Sequence, residues 1–320
     1  MIEVVPSFAR HETFHPRVGW LSKAVHAVQA NPDVFLRESA SLDLGVGKNM
    51  VRAIRYWAGA AKVIEEMGRG LGAHASEFGR LLLGDSGLDP YAEDPTTLWL
   101  LHWHLLSEPV TAPTWWWVFN EVELVDFDIA QLVRGESDWI VSRGWAMPAR
   151  ASLEKDVDCL IRMYSRRPGQ AEPIDSPFAS LGLIEPVVGA TRRWRFVIGA
   201  KASLDPRVVL YASLQYLISS APEAQTVSVA RLAGAQGGPG RAFRLTESSI
   251  SAALRSLAGI IPEATLVTPA GLTQLVIHGD KEDLAARVLR ECYPGAQPAA
   301  VRDRRRKKGS TLIESTLGVA

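Results

Sequence analysis

Apolar residues in the first sixty positions recur at helical spacing. Val18, Leu21, Val25 and Val28 lie three or four apart after Pro16, and proline suits a helix start. Asn31-Pro32 ends this helix and can begin a second one, with Phe35 and Leu36 on its buried side. Gly45 and Gly47 make a turn, and a third helix is expected from Lys48 to about Met67. Val51, Ile54, Ala58 and Ala61 line its apolar face. Lys48, Arg52, Arg55 and Lys62 fall at i, i+4, i+7 and i+14 on another face. Helix, short helix, turn and long helix is the order of a helix-turn-helix module.

Further on, Phe78 to Asp85 reads as a short strand or wing. Thr96 to Leu106 is apolar nearly all round, which predicts a buried helix. Trp115-Trp116-Trp117 opens another apolar segment, Ile129, Leu132 and Val133 start a helix, and Leu153, Val157, Leu160 and Ile161 give an amphipathic one. Proline and arginine then thicken from Ser165 to Pro177, as in a linker, and Arg193 to Ile198 alternates like a strand. After Asp205-Pro206 come a helix with Val209, Leu210, Leu214 and Leu217, a second helix from Thr226 to Leu232, and a third capped by Thr246. Thr265–Val267 and Leu272–Ile277 read as a hairpin across Pro269-Ala270-Gly271.

The predicted class is mainly α, of α+β type. A helical domain with a helix-turn-helix fills 1–165, a linker and strand 166–200, a winged-helix-like domain 201–295, and a basic tail 296–320. In that tail, residues 302–308 hold six Arg or Lys against Asp303, a block that commonly stays solvated.

Composition narrows the function classes. The chain has 320 residues, 47% hydrophobic and 22% charged, with formal net charge zero. Any anion binding must therefore come from local patches rather than a global field. Cys159 and Cys292 stand alone, without CxxC spacing, which excludes a zinc ribbon and a disulfide framework. No stretch approaches the roughly 18 apolar residues of a membrane span, and the start lacks a signal-peptide pattern, so a cytoplasmic protein is expected.

The densest chemistry is Arg10-His11-Glu12-Thr13-Phe14-His15-Pro16-Arg17. His11 to His15 spells H-E-x-x-H, but Pro16 pushes His15 from the helical geometry a zinc hydrolase needs, and no third ligand is apparent. A structured loop of hydrogen-bonded side chains is the bland alternative. The phosphate-handling reading takes His11 or His15 as general base and Arg10 and Arg17 as clamps on a phosphodiester. Glu12 would be the metal ligand or orienter, with Mg²⁺ or Mn²⁺ the expected ion. Arg17, Lys48, Asn49, Arg52 and Arg55 form the first DNA-contact set, and Arg241, Arg244 and Arg255 a second one near the third helix of the C-terminal part. The bland reading of the basic stripe is a solvated helix face. Gly45-Val46-Gly47-Lys48-Asn49 fails the P-loop spacing. Asp89, Glu93 and Asp94 could hold a cation but suit helix caps better, since Asp94-Pro95 stands where a helix begins.

Arg10–Arg17, Leu44–Val51, Asp89-Pro90-Tyr91 and Thr97–Trp103 together resemble a bacterial domain-of-unknown-function family, SspB-like, found beside the sulfur-transfer genes of DNA phosphorothioation systems. The resemblance covers most of residues 8–295 and is strongest before residue 110. It implies a role in anti-phage defence, as a DNA-binding nickase of the modification pathway. It also implies a cysteine desulfurase, an ATPase and an ATP-pyrophosphatase-type enzyme as partners. A non-enzymatic DNA-binding adaptor of the same system is the alternative. A homodimer would suit a two-fold symmetric DNA reader, though no sequence feature specifies one. The site residues above come from the residues themselves, not from the resemblance.

Overall fold

A computed structural model describes residues 3–68, 70–165 and 176–295. The linker core at 166–175, with Arg166, Arg167 and Pro173, and the basic tail at 296–320 lie outside the described residues.

Helix α1 spans Trp20–Ala30 and buries Leu21, Val25 and Val28, as their spacing predicts. Val18 precedes it and is 67% exposed, so it does not share that face. The expected second helix is divided into a 3₁₀ turn, Val34–Leu36, and a four-residue α2, Ala40–Asp43. Asn31 sets its start. Its side chain accepts the Asp33 N–H at 3.0 Å and its carbonyl accepts the Val34 N–H at 3.0 Å, a turn that buries Val34 and leaves Leu36 exposed.

Helix α3 spans Lys48–Ala60 and stops well short of Met67. The Val63 N–H reaches the Ala58 carbonyl at 2.9 Å and the Lys62 N–H reaches that of Gly59 at 3.0 Å. These bonds close a Schellman turn, with Lys62 left-handed at φ 58. The chain leaves as β1, Ile64–Glu66, antiparallel to β2, Ala73–Ala75. The segment read as a strand or wing is instead helix α4, Glu77–Leu83. Ser76 caps it by accepting the Gly79 N–H at 2.8 Å, and Leu82 and Leu83 are buried one turn on.

Helix α5, Pro95–Leu106, is buried on all sides. Asp94 caps it through the Thr96 N–H at 2.8 Å. Asp89 accepts the N–H groups of Glu93 and Asp94 and the Thr97 hydroxyl. The acidic cluster is therefore a cap network. Helix α6, Pro113–Asn120, follows, then β3, Asp126–Phe127, α7, Ile129–Ser142, and α8, Arg150–Tyr164. Strands β4, Ile184–Pro186, and β5, Trp194–Phe196, complete an antiparallel sheet of order β3-β5-β4.

The C-terminal part runs α9 (Pro206–Ser220), β6 (Thr226–Ser228), α10 (Val229–Gly234), α11 (Pro239–Phe243), α12 (Glu247–Ser256), β7 (Ala264–Val267), β8 (Gln274–Ile277) and α13 (Lys281–Glu291). The helix expected from Thr226 begins as a strand, because Thr226 to Ser228 pair with Val276 to Gln274 in a sheet of order β6-β8-β7. The fold is thus helix-rich α+β, with small antiparallel sheets. No helix among the described residues is long and apolar enough to cross a membrane.

One hydrophobic cluster runs from Val4 to Tyr293 through α5 and α6. Buried polar bonds tie α5 to both ends of the chain. His102 meets the Tyr164 hydroxyl at 2.7 Å and the Ala242 carbonyl at 2.8 Å. Burial lowers its pKa to about 4, with the Ala242 carbonyl opposing and Arg244 assisting. A neutral ring satisfies both contacts by donating from Nε2 and accepting at Nδ1. Thr97 meets the Tyr293 hydroxyl at 2.7 Å and His104 meets that of Tyr211 at 2.9 Å.

Gly79 is where α4 lies on the end of α3: a Cβ there would sit 2.0 Å from the Val63 carbonyl oxygen. Gly79→Ala should cost ~3 kcal/mol, seen as a lower urea midpoint. Gly59→Ala, with nothing within 4 Å of the added Cβ, should be neutral or stabilising by ~0.5–1 kcal/mol.

Candidate functional site

The His/Arg/Glu stretch forms a tight turn rather than a helix. Ala9, Glu12 and Thr13 all have left-handed backbone, at φ 54, 50 and 66, and the Phe14 N–H returns to the His11 carbonyl at 2.9 Å. An H-E-x-x-H zinc site needs both imidazoles one turn apart on a helix, and this backbone does not provide that.

Such a turn persists only if its surroundings over-determine it. Asp156 on α8 accepts the Ala9 N–H with both oxygens at 3.0 Å, and the His11 Nε2–H at 2.5 Å. The Trp57 indole donates to the Phe14 carbonyl at 2.8 Å, and Arg162 donates to that of Thr13 at 2.9 Å. The His11 ring stacks on Trp57, with centroids 5.8 Å apart, and meets Trp115 edge-on at 5.6 Å. His11 is 0% exposed and His15 7%. The two imidazoles therefore face the interior, while Arg10 and Glu12, on either side of His11, reach outward.

Outward lies a groove of about 1270 Å³, lined by Arg10, Glu12, Arg52, Arg55, Lys62, Glu65 and Glu66 among others. The turn and the basic face of α3 thus meet in one place. Arg52 stands 3.4 Å from Glu12, and Arg55 grips Glu66 with two nitrogens. Lys62 departs from the basic stripe. Beyond the helix end, it donates to the carbonyls of His104 and Ser107, the latter at 2.6 Å, and so caps α5. Burial lowers its pKa to about 7, against the pull of Glu108. Lys48 and Asn49 are exposed at the start of α3, with no side-chain partner among the described residues.

The remaining candidates lie elsewhere. The Arg17 guanidinium rests over the Phe14 and Trp20 rings at 5.8 and 5.7 Å, beside a smaller pocket. Arg241 pairs with Glu123 at 3.0 Å, and Arg255 is exposed on α12. Arg244 is buried: it donates to the Val118 carbonyl at 2.6 Å and its guanidinium lies 3.5 Å from the Phe196 ring centroid. Burial pushes its pKa down to about 9, helped by Arg241 and opposed by Glu123. Arg244 thus fastens α6 to the C-terminal part from the inside.

Three residues of the site escape motif reading: Asp156, Thr114 and Glu136. The Thr114 hydroxyl donates to Glu136 at 2.5 Å and stands 3.5 Å from Asp156. His11 Nδ1 and Glu136 Oε2 have no partner among the described residues. Burial raises the Glu136 pKa to about 8, with Thr114 opposing and Asp156 adding to the rise. A signal was present in the sequence, since both carboxylates fall on the apolar faces of their helices. Asp156 follows Leu153 by three, and Glu136 follows Leu132 by four.

Among the described residues no three His, Cys, Asp or Glu side chains gather as a metal cluster. The oxygen donors of the groove are the carboxylates of Glu12, Glu65 and Glu66. Carboxylates suit a hard cation rather than a soft one, but each is already paired, Glu12 with Arg52, Glu65 with His74 and Glu66 with Arg55.

The chain belongs to a family described as "Protein of unknown function (DUF4007)", which matches residues 8–293. Within that class it is similar to two solved structures, "SspB crystal structure" and "Magnesium ion-bound SspB crystal structure". Each is 39% identical, with a TM-score of 0.86 over 93% of this chain and 91% of the other. The SspB-like resemblance of the motifs is borne out. No match was found among curated proteins.

Asp156→Ala leaves the Ala9 and His11 donors unpaired in the interior. It should cost ~3–5 kcal/mol and raise amide exchange over residues 8–15. Glu136 gives a pH signature. Its proton is held to about pH 8 when folded but lost near 4.5 when unfolded, so stability should fall as pH rises across that window and level off above it. The slope contribution is ~1.4 kcal/mol per pH unit, and urea melts of Glu136→Gln should lack it.

Proposed function

We propose that the protein binds DNA in this groove and nicks one strand, as a component of a DNA phosphorothioation and anti-phage defence system in the cytoplasm. The observation that carries the reading is the meeting of Arg10, Glu12, Arg52 and Arg55 in one groove. Three guanidiniums suit bidentate grip on phosphates, and Lys48 and Asn49 at the exposed helix start extend the contact along a backbone. The helix order before α3, and the three helices followed by the β7–β8 hairpin, support a helix-turn-helix and a winged-helix-like unit, with Arg241 and Arg255 as a second contact. The SspB-like resemblance supports the pathway, with a cysteine desulfurase, an ATPase and an ATP-pyrophosphatase-type enzyme as partners.

Mg²⁺ or Mn²⁺ is the proposed cofactor, and one of the two similar SspB structures is magnesium-bound. Glu12 would hold the cation together with a strand phosphate. Once bound, the ion supplies charge neutralisation at that phosphate and a more acidic water. The rest falls to the chain. Arg52 and Arg55 clamp the backbone, and Arg10 neutralises charge as it develops on the phosphate oxygens. His11 acts through Asp156 by holding the turn that carries Arg10 and Glu12. His15 shares that interior position.

The adaptor reading has one observation in its favour: both histidines are buried, so neither offers an exposed general base. Supercoiled plasmid separates the two readings. With Mg²⁺ or Mn²⁺ the wild type should yield open circles, Glu12→Gln should lose nicking while still binding, and Arg52→Ala should bind more weakly with a salt slope shallower by about one. Plasmid left supercoiled under every metal, but bound through Arg52, supports the adaptor.

A further inference from the structure

The turn that supplies Arg10 and Glu12 to the groove continues to Pro16 and Arg17, and there it borders a second, smaller cavity. This pocket has a volume of about 260 Å³ and is walled by Leu21, Leu98, Leu101 and Phe178, with Val18 and Arg17 among its lining. It lies just below the ~300–1,000 Å³ of pockets that take drug-sized ligands, so it suits one ring system. Its polar side chains are Arg17, Ser22, Glu93 and Ser180, of which Arg17, Glu93 and Ser180 are exposed. Ser22 is part of its wall and only 4% exposed, and its buried hydroxyl has no hydrogen-bond partner among the described residues. A buried hydroxyl left unpaired costs free energy that a ligand atom can recover. Arg17 stays exposed while its guanidinium is steadied over the Phe14 and Trp20 rings. An apolar slot, an unpaired hydroxyl within its wall and a positioned cation suit a nucleotide, with its base inside and its phosphate at Arg17.

We propose that this pocket receives a nucleobase turned out of the DNA strand whose backbone lies in the groove. The inference rests on the DNA-binding reading above. Arg10 and Arg17 are the two ends of one short turn, so a strand held at Arg10 can continue to Arg17 within the reach of that segment, roughly 25 Å when extended. Extruding a base distorts the backbone beside it and exposes the neighbouring phosphodiester. A flipped base would therefore open the strand next to the Glu12 carboxylate.

The test uses the full chain and duplexes in which a single 2-aminopurine is moved along the sequence, since its fluorescence rises on unstacking. Anisotropy of a terminal label reads binding in the same samples. One position should brighten several-fold on saturation with wild-type protein. Val18→Trp, which plugs the mouth from an exposed position, should abolish the brightening. Ser22→Val, checked for folding by circular dichroism, should reduce it several-fold at the same position. Duplex bound with no position brightening overturns the pocket and leaves the DNA reading standing. Brightening that survives both variants also overturns it, since the base then goes elsewhere. Absence of any duplex binding removes both readings together. Free 2-aminopurine riboside monophosphate supplies the other arm. Tight binding that Val18→Trp abolishes, without brightening in DNA, makes the occupant a soluble nucleotide and overturns the flipping step.

Discussion

The contact on which the groove depends is the buried one between Asp156 and the turn at residues 9–11. Three left-handed non-glycine residues sit in this turn, each disfavoured by local sterics. The chain keeps the conformation because Asp156 takes the Ala9 and His11 donors together. A carboxylate with this burial is tolerable only when its oxygens are bonded. The pair fixes the turn on both sides of His11, which aims Arg10 and Glu12 outward. The indole of Trp57 holds the far end and comes from α3 itself. Groove wall and groove turn are thereby set by the same helix. A shift of α3 would move Arg52 and the Glu12 turn together rather than apart.

Helix α5 does for the whole chain what Asp156 does for the turn. It lacks an exposed face, and its last carbonyls are met by protein. Lys62 brings an ammonium from the end of α3 to the carbonyls there, where a cation is favoured by the helix dipole. The same lysine ends α3 in a left-handed conformation that glycine would normally supply. The two ammonium bonds help to compensate the strain. The groove floor is thus continuous with the core, through one side chain that serves two helix ends.

Much of this was legible in the residue pattern. Helices α1, α3, α5, α8, α9 and α12 follow from apolar spacing, and the Asp94 cap and the β7–β8 hairpin from local chemistry. What failed did so for identifiable reasons. Phe78 to Leu83 is an apolar run too short for periodicity to separate strand from helix, and the decisive signal was the Ser76 cap. Thr226 to Ser228 became a strand because β8 was there to pair with it, a tertiary effect that propensity does not carry. The end of α3 was missed because lysine is an unexpected residue in a Schellman turn. At the candidate site, the motif pointed to the imidazoles, which the structure places inside the turn. H-E-x-x-H draws attention to the imidazoles, yet alternation across a tight turn sends the histidines inward and Arg10 and Glu12 outward. Arg244 looked like a surface cation beside Arg241, but its neighbours on the chain, Phe243 and Leu245, are both buried, and Val118 and Phe196 hold it in the interior.

On the proposed reading, the charge arrangement lets a chain of zero net charge offer a groove to anions. Two of the guanidiniums there are already paired, Arg52 with Glu12 and Arg55 with Glu66. Exposed pairs of this kind contribute only ~0–1 kcal/mol, so exchanging a carboxylate for a phosphate costs little. On that reading, the exposed Lys48, without a side-chain partner among the described residues, would provide attraction before contact, and the pairs would keep the long arginines ordered until then. On the proposed reading, the exchange has a consequence for chemistry. When Arg52 turns to a phosphate, Glu12 loses its partner, and its carboxylate becomes available to a divalent cation at the moment the strand arrives. A metal site assembled in this way would be incomplete without DNA, which fits a groove whose carboxylates do not form a three-residue cluster by themselves. It would also favour hydrolysis of strands already held by the arginines, because a phosphate on Arg52 keeps Glu12 free for the ion.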